Sequence, residues 1–273
     1  MDSFYSRPPG YPPLMGFFND AHAGPHPKQE EEHNPPLLLN MLKHDANEAR
    51  EKLPGLALPV INLANQILTK MGHAPSITEK CVFVGKPKSD ERLHKKAQAK
   101  GGVHRIHDLA RIELRGDVPE ESFALSAAIE ALYEMHQPIN HQAYFTACDN
   151  YIDRPHEDTG YRATISNIKV PLERRLAPAA AQQRNYHIAE IKVTLTPFEE
   201  SIAGRSHELY EYWRNTSGFE AETLSAELKA LHEREAQAVN FDRPDMAPYR
   251  QAALDIVSAP NLDEQYRGPT RHF

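Results

Sequence analysis

The chain has 273 residues, 40% hydrophobic and 25% charged, enough apolar material for one good core with polar additions. Its formal net charge of -7 opposes broad electrostatic capture of nucleic acid, and no uninterrupted apolar run approaches the ~20 residues that cross a bilayer. The two cysteines, Cys81 and Cys148, lie far apart and outside any C-x-x-C spacing, which suggests neither a disulfide framework nor a zinc knuckle and makes a reducing cytoplasm the expected setting.

Residues 1–36 hold eight of the 22 prolines and the run KQEEEH. Proline this dense denies a helix or a sheet its backbone donors, so the segment reads as a disordered arm, with delivery into another cell or docking of a partner as further readings. Within 37–76, apolar residues recur at three- and four-residue steps and are interrupted by Pro54 and Pro59, which predicts two or three helices. Five short, β-branched and partly alternating segments follow: KCVFVGK (80–86), RIELRG (111–116), QAYFTACDNYI (142–152), RATISNIKV (162–170) and HIAEIKVTL (187–195). Each predicts a strand. Between the second and third, EESFALSAAIEALYEMH (120–136) has a helical period and an acidic first turn that suits the positive end of the helix dipole.

After Pro197, FEESIAGRSHELYEYWRN, FEAETLSAELKALHEREAQAV and FDRPDMAPYRQAALDIV are again helical. The expected organisation is a core over 77–220, C-terminal helices over 221–260 packed on it, and a polar tail over 261–273. The expected fold class is α/β (α+β), a mixed sheet of about five strands flanked by helices.

Four constellations carry chemistry. In KPKSDERLHKKAQAKGG (86–102), Lys86, Lys88, Arg92, Lys95, Lys96 and Lys100 crowd a strand end and the helix after it; a helix capped by Ser89 places Arg92 and Lys96 on one face, as a triphosphate site or a solvated helix surface. Asp108, at the mouth of the second strand, is either an oxygen ligand for Mg²⁺ or an ordinary loop aspartate. His104 and His107 beside it lack a matching partner for zinc. On the fifth strand Glu190, Lys192 and Thr194 share one face and Ile191, Val193 and Leu195 the other, so Glu190 points out of the apolar layer as a general base, a metal ligand or a solvent-facing partner of Lys192. Gly160 permits a tight turn before Tyr161, whose ring either stacks a purine base or closes the end of the core.

The order of these pieces resembles the RelA/SpoT nucleotide pyrophosphokinase domain. That family carries R-x-K-x-x-x-S-x-x-x-K, D-[IL]-A-G-x-R, G-Y-x-S-x-H, E-I-Q-x-R-T and H-x-x-Y in this order; the counterparts here are KPKSDERLHKK from Lys86, DLARIE from Asp108, GYRATI from Gly160, EIKVTL from Glu190 and HELY from His207, over roughly residues 60–220. The resemblance implies a nucleotidyltransferase-like fold and transfer of the β,γ-pyrophosphate of ATP to a ribose 3'-hydroxyl of GDP, GTP or an adenine nucleotide, as in alarmone synthesis for the stringent response. It implies that Asp108 and Glu190 are catalytic and hold Mg²⁺. It further implies that Lys86, Lys88, Arg92, Lys96, Arg111, Arg115, Lys192 and His207 contact nucleotide, and that Tyr161 stacks the acceptor base. A separate hydrolase domain with its own HD motif is not expected, because His107 and Asp108 fall inside the synthetase pattern.

Several positions depart from the pattern. Lys86 replaces an arginine and loses its planar fork; Arg92 stands at the serine, Arg111 at the glycine, Glu113 at the arginine, Ile165 at the histidine and Lys192 at the glutamine. On an alternating strand Arg111, Glu113 and Arg115 face the same way, so Arg115 is the expected substitute for the lost charge. Two functions fit: a pyrophosphokinase with a shifted acceptor, including a toxic synthetase or a modifier of the tRNA 3' end with a neutralising protein partner, or a catalytically silent nucleotide-binding regulator. The acidic net charge disfavours tRNA.

Overall fold

The computed structural model describes residues 35–100, 106, 109–139, 143–173, 186–242 and 245–259. The expected arm and tail lie outside them, apart from Pro35 and Pro36. The first helix, α1 (Pro35–Lys70), runs unbroken through Pro54 and Pro59, where two or three helices are predicted. Each proline removes one i to i-4 hydrogen bond. The helix continues because its buried stripe, Leu53, Ala57, Val60, Ala64 and Ile67, is anchored on both sides of each proline while the prolines themselves lie off that stripe.

A single 3-10 turn (Glu79–Cys81) leads into β1 (Val82–Val84), and α2 (Asp90–Lys100) follows. The Arg92 N–H donates to the Ser89 hydroxyl at 3.4 Å, the cap expected at this helix start. Next come β2 (Arg111–Gly116), α3 (Pro119–Glu134), β3 (Tyr144–Asn150), β4 (Thr164–Pro171) and β5 (Tyr186–Leu195). The run predicted as helical after Pro197 is two helices, α4 (Thr196–Ile202) and α5 (Arg205–Trp213), because Gly204 turns the chain at φ +92°. The chain then forms α6 (Phe219–Ala238) and α7 (Ala247–Val257).

The strands form one five-stranded mixed sheet in the order β1-β2-β5-β4-β3, parallel only between β2 and β5. The fold is therefore α+β, as the sequence predicts. One face of the sheet is apolar, with Ile112, Leu114, Ile168, Val170, Ile191 and Val193 buried beneath α1 and α3, and α7 packs on both helices. The other face carries the alternate residues, and there the polar side chains gather. Tyr161 lies before β4 rather than opening it, in a connection where Gly160 adopts φ +68° and its N–H donates to the His156 carbonyl at 2.7 Å. Buried Arg162 fixes this connection by donating to the Ile152 carbonyl at 2.7 Å and the Asp242 carbonyl at 2.8 Å.

Candidate functional site

Residues directly opposite in a ladder share a sheet face, so the register defines two polar rows. One runs Phe83, Glu113, Lys192, Ile165, Asp149 across all five strands; the other runs Arg111, Glu190, Asn167. Segments far apart in sequence thus meet on one surface. The Gly85 N–H donates to the Arg111 carbonyl at 2.8 Å, and a Cβ at Gly85 would lie 3.0 Å from that oxygen, so the chain entering the Lys86 segment is pressed against the start of β2.

Glu113 is the centre of the first row. Its carboxylate accepts from Arg115 Nε at 3.0 Å and Nη2 at 2.6 Å, and lies 3.2 Å from Lys192 Nζ and 3.7 Å from Arg111 Nη2. Burial alone pushes this carboxyl up, but Lys192, Arg115 and Arg111 together outweigh it and hold it below the ordinary carboxylate range. Arg115 in turn lays its guanidinium 4.5 Å from the centre of the Phe83 ring.

Lys192 connects this group to a second carboxylate. Its ammonium lies 3.2 Å from Glu199 Oε1 and donates to the Tyr161 hydroxyl at 3.1 Å. The Tyr161 hydroxyl donates to Glu199, and the Thr194 hydroxyl donates to the same oxygen at 3.0 Å. Burial, then the charge and hydrogen bond of Glu199, push the Tyr161 phenol well above its ordinary value. The Tyr161 ring meets the His232 ring edge-on at 5.6 Å and lies 6.1 Å from Phe198. His232 is buried, its Nδ1 is 2.7 Å from the Thr159 carbonyl, and its Nε2 is 2.5 Å from the Ser206 hydroxyl. A carbonyl only accepts, so Nδ1 carries the proton and Ser206 donates to Nε2; burial lowers the pKa and keeps the ring neutral.

The structure brings together Arg111, Arg115, Tyr161, Glu190 and Lys192 from among the expected site residues. Glu190 lies opposite Arg111 and Asn167, and its N–H donates to the Ala110 carbonyl at 2.9 Å. Lys86 is exposed and Lys88 half-buried in the segment after β1, and Arg92 is exposed on α2. Lys96 belongs to α2, with its side chain outside the description; His207 is exposed on α5. Asp108, His104 and His107 lie outside the described residues. Among the described residues no three His, Cys, Asp or Glu side chains group as a metal site.

Sequence reading misses Glu199 and His232. Glu199 stands in the first turn of α4, directly after β5, and the available signal was the short Thr196-Pro197 entry that folds this turn back beside the strand it follows. His232 carries no comparable signal, since its partners Thr159 and Ser206 are 73 and 26 residues away.

No protein-family model matches the chain, and no curated protein sequence matches it. Solved structures similar to it include small alarmone synthetase 1 from Bacillus subtilis, at 16% identity over 79% of this chain and 94% of that one, with a TM-score of 0.46. The same comparison finds small alarmone synthetase 2 from Bacillus subtilis at 19% identity over 69% and 91%, with a TM-score of 0.42. A GTP pyrophosphokinase family protein from Streptococcus pneumoniae is 15% identical over 83% and 97%, with a TM-score of 0.43.

Proposed function

We propose that the chain is an ATP-dependent pyrophosphokinase of the RelA/SpoT type, transferring the β,γ-pyrophosphate of ATP to the 3'-hydroxyl of a purine nucleotide. The observation that carries the reading is that residues of four ordered motifs meet at and beside one polar sheet face. The Gly85 N–H holds the start of the Lys86 segment to the Arg111 carbonyl, Arg111 lies opposite Glu190 in the β2–β5 ladder, Glu113 is ion-paired with Lys192, and Lys192 reaches the hydroxyl of Tyr161.

In the reaction the acceptor 3'-oxygen bonds to the β-phosphorus, the bond from that phosphorus to the α,β-bridging oxygen breaks, and AMP leaves. Glu190 takes the hydroxyl proton. Lys86, Lys88, Arg92 and Lys96 bind the donor phosphates, Arg111 and Lys192 stabilise developing charge beside them, and His207 contributes from α5. The acceptor base packs against Tyr161. Glu190 and Asn167, opposed across β5 and β4, offer the hard oxygen donors that Mg²⁺ prefers, and Asp108 is the second carboxylate that the sequence pattern implies. Bound there, Mg²⁺ would supply positive charge against the phosphates of ATP.

The acceptors to test are GDP, GTP, ADP and AMP, with bulk tRNA as the acceptor that the net charge of -7 disfavours. A second reading, a silent nucleotide-binding regulator, is favoured by one observation: Glu113 engages Arg115, Lys192 and Arg111, three cations otherwise available to phosphates. Incubation with Mg²⁺ and γ-labelled ATP against these acceptors separates the readings. Label on one acceptor, lost in Glu190→Gln, supports transfer; ATP binding with no label transferred to any acceptor selects the regulator.

A further inference from the structure

Phe83 stands out on the sheet face described above. It is 43% exposed on the edge strand β1, while Arg115 sits over its ring with the guanidinium carbon 4.5 Å from the centroid. A mobile arginine would make a poor support, because ordering its long side chain costs entropy each time a ligand arrives. Here that ordering is already in place: both Nε and Nη2 of Arg115 are held by Glu113, itself nearly buried at 8% exposure. The result is a layered stack, a fixed guanidinium under an aromatic ring that meets solvent.

We propose that the Phe83 ring, backed by Arg115 and Glu113, is a stacking platform for the purine base of a nucleoside triphosphate. A ring with a cation over one face and 43% of the residue open to solvent suits a flat heteroaromatic π system. Charge and spacing select a nucleotide over an apolar peptide. The segment leaving Phe83 carries Lys86 and Lys88 three and five residues on, two cations close in sequence for the phosphates of a nucleotide. The inference rests on the donor-nucleotide part of the proposed function, and it gives Glu113 a positive role: the carboxylate that replaces a cation in the family pattern sets the pose of the neighbouring arginine.

Calorimetric titration of the native protein, Phe83→Leu and Phe83→Trp tests it, with Mg²⁺-ATP as one probe and inorganic tripolyphosphate, which has phosphates and no base, as the other. The expected result for Phe83→Leu is a loss of ATP affinity of about 5- to 150-fold, the range of a single base-aromatic stack, with tripolyphosphate affinity unchanged and ATP affinity kept in Phe83→Trp. Equal ATP affinity in Phe83→Leu overturns the platform, as does a parallel fall for both probes, which would mean a general disturbance of the face. Failure of native protein to bind ATP overturns both the platform and the donor site. If ATP affinity depends on Phe83 while γ-labelled ATP transfers nothing, the platform stands and the transferase reading falls.

Discussion

Glu113 is the position where charge and burial are most tightly coupled, and replacing it by glutamine isolates the charge. The side chain is 11% exposed; its partners Lys192 and Arg115 are 12% and 26% exposed, at 3.2 and 2.6 Å. Arg111 is 39% exposed at 3.7 Å, so solvent screening leaves it the smallest share. Removing one partner of a buried ion group costs about 3–5 kcal/mol, and the glutamine oxygen still accepts one hydrogen bond, so Glu113→Gln falls near the lower end, about 3 kcal/mol. At about 2–4 °C per kcal/mol for a domain of this size, the thermal midpoint falls by roughly 6–12 °C. The pH dependence carries the sign. The folded carboxyl lies below its ordinary value of 4.5, so its stabilisation is fully present above that value and is lost as pH falls through the lower folded one. Urea titrations from neutral to acidic pH should therefore show the native and Glu113→Gln proteins converging in stability at the acid end. Equal urea midpoints at neutral pH, or a gap that stays constant into acid, would refute the reasoning. Glu113→Arg, which places a fourth cation in the same space, should cost more and recover part of the loss when tripolyphosphate is added.

Glu199→Gln should lower the pH at which Tyr161 ionises while burial keeps it above an ordinary phenol; ultraviolet difference titration of each protein against its Tyr161→Phe counterpart reads this one ring, and an unmoved titration would mean that the Glu199 charge does not act on it. Arg250→Ala removes two hydrogen bonds to Glu130, at 2.9 and 3.1 Å, and one to Asp153 at 2.9 Å, so amide exchange should accelerate through α7 ahead of the β2 and β5 amides; uniform acceleration would mean that these bonds are not a local clamp. Gly160→Ala places a Cβ 3.1 Å from the Lys229 Cα at φ +68°, and should cost about 1–2 kcal/mol or more in urea denaturation. An unchanged midpoint would show that the turn relaxes freely.

The strands were legible because each is short, β-branched and bounded by turn residues: RIELRG spans β2 residue for residue, and the period of two correctly separates Glu190, Lys192 and Thr194 from Ile191, Val193 and Leu195. The prolines of α1 misled because a local rule lost to tertiary burial. Leu53 and Val60 are fully buried on the same stripe, and packing on both sides of Pro54 and Pro59 offsets the missing backbone bonds. In the site, the shared direction of Arg111, Glu113 and Arg115 was readable from alternation alone. What alternation does not show is that the Arg115 fork is taken by Glu113 while its guanidinium sits over Phe83, since that depends on β1 pairing antiparallel to β2 with Phe83 opposite Glu113. Glu199 was hidden for the same reason: its three donors come from β5 and from the connection before β4, and only the folded chain brings them to one oxygen.

These contacts also explain how a face holding several carboxylates remains compatible with an anionic ligand. Glu113 and Glu199 do not stand as open negative charges; each is surrounded by donors, and Lys192 is shared between them at 3.2 Å on either side. A buried cation between two carboxylates is held in one place at little further entropic cost. The Tyr161 hydroxyl then binds both Lys192 and Glu199, so the ring next to the proposed acceptor base and the cation next to the proposed phosphates hold each other and share Glu199 as a partner. Behind that ring, neutral His232 ties the Thr159 carbonyl on the turn before Tyr161 to Ser206 at the start of α5, the helix that carries His207. The two flanks of the polar face, the β1-β2 edge with its basic segment and the α5-α6 side with its aromatic ring, are thereby linked by hydrogen bonds and ion pairs from Arg115 to Tyr161 and, across the edge-on contact of Tyr161 with His232, by a further hydrogen bond to Ser206. Pre-set polar groups of this kind suit the proposed transfer between two polyanions, because charges that stabilise such a step must be in place before the bond to the β-phosphorus begins to form.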